Sequence, residues 1–93
     1  MKINVNLSGK FADIFQTGDL SVNLTEGDNI RDLLNLMCTT EERRANIFDR
    51  SKTKLKPTVT ITRNGRFIIH LDWLDTVLAD NDNVRILTLH SGG

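Results

Sequence analysis

The chain has 93 residues, with 12 basic and 12 acidic side chains and a formal net charge of zero. That length suits one domain with a modest core. The even charge supplies no basic excess or stripe for a nucleic acid, and no apolar run approaches the ~20 residues a membrane helix needs.

Met1-Lys2 leads straight into a strand pattern, so no signal peptide is expected. The single cysteine, Cys38, permits no internal disulfide and fits a reducing cytoplasm. In the first segment Ile3, Val5 and Leu7 alternate with Lys2, Asn4 and Asn6, the period-2 pattern of a strand with one buried face. Ser8-Gly9 breaks it. Phe11, Ile14 and Phe15 then have helical spacing over Lys10–Gln16, enough for a short capping helix or compact loop. Thr17-Gly18-Asp19 reads as a turn, and Leu20, Val22 and Leu24 as a second strand antiparallel to the first.

Asp28 or Asn29 can cap a helix, because a side-chain oxygen accepts one of the orphan N–H groups of the first turn. Ile30, Leu33, Leu34 and Met37 form one apolar stripe behind that cap, with Arg31, Asp32 and Asn35 facing water. Thr39-Thr40-Glu41-Glu42-Arg43 suggests a second cap and a weaker helix toward Asp49, followed by a polar loop over Arg50–Lys56. Lys52, Lys54 and Lys56 alternate in that loop and read as solvated. Pro57 opens a third strand, in which Val59 and Ile61 alternate with threonines. Asn64-Gly65 is a hairpin signal, since both residues tolerate φ > 0, and Arg66–Leu71 is expected to return as a fourth strand. Trp73, Leu74 and Leu78 belong to an irregular connection with a single helical turn, and Val84–Leu89 is the last strand. Val5, Leu7, Val22, Leu33, Met37, Ile61 and Ile86 are expected in the core.

The order β-β-α-β-β-β, with one strong helix, predicts an α+β fold. The expected form is a β-grasp (ubiquitin-like) domain over 1–89: a mixed four- to five-stranded sheet with one main helix on one face. Its first and last strands are expected central and parallel. Residues 90–93 are expected as a C-terminal tail outside it. The tail ends in Gly92-Gly93. Lacking Cβ atoms, these residues can pass through a channel too narrow for any other, presenting the α-carboxylate to another protein.

The opening strand Met1–Leu7, the helix Asp28–Cys38, the Asn64-Gly65 turn and the run from Leu71-Asp72 through Leu78-Ala79-Asp80-Asn81-Asp82-Asn83-Val84 to Gly92-Gly93 together resemble the ubiquitin-fold sulfur-carrier family. That family includes the small subunit of molybdopterin synthase (MoaD), the thiamine-pathway carrier (ThiS) and a cysteine-pathway carrier. The resemblance implies that the Gly93 carboxylate, with Gly92 beside it, is adenylated by an E1-like partner and converted to a thiocarboxylate. The thiocarboxylate then gives its sulfur to a synthase subunit in molybdopterin, thiamine or cysteine biosynthesis. ATP and Mg²⁺ would belong to the activating partner; the chain has no phosphate-cradling glycine loop of its own and is expected to bind no cofactor or metal. It would be a monomeric co-substrate in the cytoplasm rather than an enzyme, although it could also be counted as a synthase's small subunit. Two other functions compete: a ubiquitin-like modifier conjugated through Gly93, and a β-grasp binding module whose glycines are incidental. Thr88-Leu89-His90-Ser91, where members often carry a proline or an aromatic, leaves the pathway open.

A two-residue turn at Asn64-Gly65 sets Thr62 opposite Phe67 and Thr60 opposite Ile69. With Val59, Ile61, Val84 and Ile86 inward, Phe67, Ile69, Leu87 and Leu89 would form an outer apolar patch leading to His90 and Ser91, a candidate partner surface. Cys38 reads as a packed, inert thiol. Glu41 and Glu42 read as solvated charges and Trp73 as a cover for the core edge. His70 and His90 lack companions at metal-ligand spacing.

Overall fold

A computed structural model describes residues 1–51 and 53–88. The elements are β1 (Lys2–Leu7), α1 (Lys10–Phe15), β2 (Asp19–Asn23), α2 (Ile30–Met37), α3 (Glu41–Ile47), β3 (Val59–Arg63), β4 (Arg66–Phe67) and β5 (Asn83–Thr88). Two 3₁₀ turns, Ile68–His70 and Trp73–Asp75, lie between β4 and β5. The sheet order is β2-β1-β5-β3-β4. β1 and β5 run parallel, from Asn4 opposite Asn83 to Leu7 opposite Ile86. The other strand pairs are antiparallel. This is the expected β-grasp arrangement.

Alternation decides which face is buried. Ile3, Val5 and Leu7 of β1, Val59 and Ile61 of β3, and Val84 and Ile86 of β5 are all buried. They meet the α2 stripe of Ile30, Leu33, Leu34 and Met37 in one cluster, closed by Phe11 and Phe15 of α1 and Ile47 and Phe48 at the end of α3. Val22 departs from expectation: it is only partly buried, because β2 is an edge strand and has a neighbour on one side alone.

α2 starts where Asn29 stops being helical. Its side-chain oxygen accepts from the Asp32 N–H at 3.0 Å, and Asp32 Oδ2 accepts from the Asn29 N–H at 3.0 Å, a reciprocal capping box. Asn29→Ala removes one half of that exchange. It is expected to lower stability by about 1 kcal/mol, read as a lower urea midpoint at unchanged slope.

The second correction concerns β4. The expected strand Arg66–Leu71 is extended only at Arg66 and Phe67, so Thr62 does face Phe67 but Thr60 has no strand partner at Ile69. The apolar residues Ile68, Leu71 and Leu74 follow at i, i+3 and i+6. A 3₁₀ turn brings such residues onto one side, whereas a strand would put Leu71 opposite Ile68. Ile68 and Leu74 are buried and Leu71 is packed against the core.

Candidate functional site: the outer sheet face and the end of the last strand

The outer face is built on the β3–β4 hairpin. Asn64 and Gly65 take φ values of 50° and 84°, the left-handed pair that a two-residue hairpin turn requires. Asn64 also anchors the turn to β5. Its backbone N–H donates to the Asn83 carbonyl at 2.7 Å, and its side-chain oxygen accepts from the Asn83 N–H at 2.9 Å. Its amide nitrogen donates to Asp82 Oδ1 at 2.9 Å.

Asp82 is the hub of this corner. Oδ2 accepts from Arg63 Nε at 2.7 Å and from the Ala79 N–H at 2.8 Å. Burial pushes the carboxyl up, but the Ala79 N–H, the Asn64 amide and the Arg63 guanidinium outweigh it and hold the group below its ordinary value of 3.8. In the sequence Asp82 belongs to the Leu78–Val84 run that carries the family resemblance, but no local spacing marks it as a buried hub. The signal that could have done so is its place immediately before β5, the one strand paired with both β1 and β3.

On this frame Phe67 and Leu87 are brought together. With Asn6, Thr62 and Arg85 they line a recess of about 330 Å³ on the outer face. Phe67 is 40 % exposed and Leu87 half-buried. Ile69, 68 % exposed, is not part of that recess. The 3₁₀ turn carries it to the sheet edge, where it shares a shallow cleft of about 250 Å³ with Phe67, Pro57 and Trp73. The apolar surface is therefore two recesses joined at Phe67, not the single outer stripe expected from an extended β4. Trp73 does not seal the core edge: it is 42 % exposed, while the adjacent Leu74 is buried. Leu89, His90, Ser91, Gly92 and Gly93, the rest of the expected site, lie outside the described residues.

The direction of β5 sets where the tail begins. Thr88, opposite Val59, ends the strand, and with Ser8, Gly9, Lys10 and Thr58 it lines a recess of about 300 Å³. His70 is exposed and meets Phe67 edge-on, with ring centroids 6.4 Å apart. Among the described residues no group of three His, Cys, Asp or Glu side chains could hold a metal, and no helix is long and apolar enough to cross a membrane.

Cys38 caps the C-terminal end of α2 and is buried. Burial pushes its thiol from 9.0 up to about 11, against smaller opposing effects of Arg44 and Arg43. The native thiol keeps its proton to a higher pH than the unfolded one, so the stability present below pH 9 is lost as pH rises from 9 toward 11. The native thiol is expected to react with a disulfide reagent at neutral pH at least about tenfold more slowly than the urea-unfolded chain, because little thiolate is present. Cys38→Ala is expected to leave any sulfur transfer intact; loss of transfer with the fold preserved would make Cys38 a functional residue.

The model of the ThiS family matches residues 5–93. No curated protein matches the chain significantly. Among solved structures, small archaeal modifier protein 1 from Methanosarcina acetivorans is 26 % identical with a TM-score of 0.83, over 99 % of this chain and 96 % of that one. The same-named protein from Haloferax volcanii is 18 % identical with a TM-score of 0.85, over the full length of both chains. CysO from Mycobacterium tuberculosis is 22 % identical with a TM-score of 0.74, over 95 % of this chain and 99 % of that one.

Proposed function

Because this chain belongs to the ThiS family of ubiquitin-fold sulfur carriers and modifiers, we propose that it is a sulfur carrier that works through its Gly93 carboxylate. The observation that carries this reading is a family match that runs through the terminal Gly92-Gly93 rather than stopping at the folded body. A carboxylate is a poor electrophile. Attack by Gly93 on the α-phosphate of ATP, in an E1-like partner that supplies ATP and Mg²⁺, would release pyrophosphate and leave an acyl-adenylate. A sulfur donor would then displace AMP to give the thiocarboxylate, a soft nucleophile for a sulfur-accepting synthase subunit. The chain itself would be a co-substrate acting in the cytoplasm, with no cofactor of its own. Residues 90–93 reach at most about 13–14 Å when extended, enough to enter a pocket while the body docks outside. Phe67, Leu87 and Ile69, with Trp73 beside them, are described apolar side chains that could serve that docking, and Leu89, His90 and Ser91 follow in the chain toward the carboxylate.

A second reading is favoured by a specific observation: three of the similar structures bear the name small archaeal modifier protein 1. The same activated carboxylate could be passed to a lysine of a target protein. One experiment separates the two. The chain is incubated with an E1-like activating enzyme, ATP, Mg²⁺ and a sulfur donor, and the intact mass is read. An oxygen-to-sulfur exchange at the C-terminus supports the carrier. Isopeptide bonds from Gly93 to lysines, with no thioacid used downstream, support the modifier. Absence of both defeats activation at Gly93.

A further inference from the structure

A chain of zero net charge does not carry that charge evenly. Six of its 12 basic residues fall within residues 43–56, against one acidic residue, Asp49, so this segment carries +5 and the remainder −5. Glu41 and Glu42, in the first turn of α3, flank it and reduce the local excess. The opposite sign gathers at the other end of α2, where Asp28 and Asp32 stand by its N-terminus and Asp72, Asp75, Asp80 and Asp82 lie in the connection that hydrogen-bonds to it and to β1. Arg31 pairs with Asp75, Arg63 pairs with Asp82, and Lys2 adjoins Asp80, so this end keeps a smaller acidic excess, opposite in sign to the segment beyond the C-terminal end of α2.

Among the described residues, two arginines of the basic end are held against aromatic rings. The Arg44 guanidinium stacks 5.0 Å from the Phe48 ring centroid and that of Arg43 4.9 Å from Phe15, so both heads are held in place rather than swinging freely. Among the described residues the ion pairs are Arg31–Asp75 and Arg63–Asp82; neither involves a cation of this segment. Arg44, Arg50 and Lys56 converge on a crevice of about 330 Å³ floored by Phe48, with Glu41 and Asp49 as the carboxylates on its wall. Asp49 accepts from the Ser51 N–H at 2.9 Å and keeps its negative charge, which leaves the lining with three cations against two carboxylates.

The same end of the molecule launches the tail. The Lys56 carbonyl accepts from the Val59 N–H at 3.0 Å, and Val59 is the partner of Thr88, the last described residue of β5. Lys10 and Thr58 line the recess beside Thr88, which joins the basic crevice to the root of the tail through Lys56 and Pro57. β5 thus starts at the acidic pole and ends at the basic one.

We propose that the crevice of Arg44, Arg50 and Lys56 is a docking surface for an acidic, Asp/Glu-bearing segment of the protein that receives the tail. This rests on the tail-activation reading above and adds to it the chemistry of the receiving partner. Complementary charge acts mainly on encounter: a polarised molecule approaching an acidic mouth arrives tail end first, and steering of this kind raises association rates by about 10–10³ at low salt.

The test has two arms. In the first, hexaglutamate peptide is titrated at low salt into the isotopically labelled full chain, and backbone amide shifts are followed by NMR. Shifts concentrated in residues 44–56, weakened at least about tenfold by high salt and by Arg50→Glu with Lys56→Glu, are expected. These two substitutions leave the Arg44–Phe48 stack alone; Arg44→Gln with unchanged thermal unfolding is the second variant and should also weaken binding. Shifts that are absent, or equal at Lys2, Arg66 and Arg85, would overturn the proposal. A short single-stranded DNA bound at the same crevice as tightly as the peptide would overturn the choice of an acidic protein. In the second arm, the double reversal is expected to raise the KM for the chain about tenfold in the adenylation reaction at unchanged kcat; an unchanged KM overturns the proposal. If the wild-type chain is never activated, the carrier reading fails while the peptide titration still decides the surface.

Discussion

A single residue added after Gly93 is expected to abolish adenylation and leave thermal unfolding where it was. The two effects separate because the core and the reacting group sit in different parts of the chain. Every buried apolar residue of the described structure lies at or before Ile86, so a change at position 93 alters none of those side chains. The chemistry is far less tolerant. An extra residue moves the carboxylate by about 3.3–3.6 Å and puts an amide where the nucleophilic oxygen had been. Misplacement by even 1 Å can cost about a hundredfold in rate, so activation should fall to background. Deletion of Gly93 should behave alike, because the carboxylate then falls short. Gly92→Ala should fold normally yet transfer poorly, since a Cβ would crowd a channel that admits glycine. The measurements are unfolding midpoints beside pyrophosphate release with an activating enzyme. An extended chain that is activated as well as the wild type would sink both the carrier and the modifier reading.

Asp82→Ala is expected to be the most destabilising single change at the outer-face corner, by about 2–4 kcal/mol. Asp82 is 7 % exposed and its carboxylate satisfies three donors on Arg63, Asn64 and Ala79. Removing one member of a buried pair leaves the other charge uncompensated, typically at a cost of about 3–5 kcal/mol. Arg63, 29 % exposed, can recover some water, which lowers the figure. For a domain of this size the loss corresponds to a fall in Tm of about 8–32 °C, at about 4–8 °C per kcal/mol. The same carboxylate sets a pH dependence. Its native value lies below 3.8, so its contribution is fully present above the unfolded value and is lost as pH falls through that value toward the native one. In Asp82→Ala the acid limb of the stability curve should flatten, and amide exchange should rise at Arg63–Phe67, because the turn loses its tie to β5. Unchanged stability and exchange would show that the Arg63–Asp82 pair and its neighbours contribute nothing net.

Period-2 alternation, the single apolar stripe and the turn residues were enough to determine the strands β1, β2, β3 and β5, the helix α2 with a cap at Asp28 or Asn29, and the Asn64-Gly65 hairpin. These are local signals: each element's buried face is written in its own spacing, so no knowledge of its neighbours is needed. The family resemblance at Asp80–Val84 and Gly92-Gly93 was legible for the same reason, being contiguous in the chain. Tertiary structure decided the rest. β4 stops at Phe67 because Ile68, Leu71 and Leu74 must all reach the core, a demand set by what lies beneath them. Val22 stays partly open because β2 is an edge, which sheet order alone defines. Asp82 becomes a buried hub only when Arg63, Asn64 and Ala79 fold around it. The basic pole forms because α3 and the loop after it close against the start of β3, beside the end of β5. Separations of many residues become contacts of a few ångströms there, and no local spacing records which of them will.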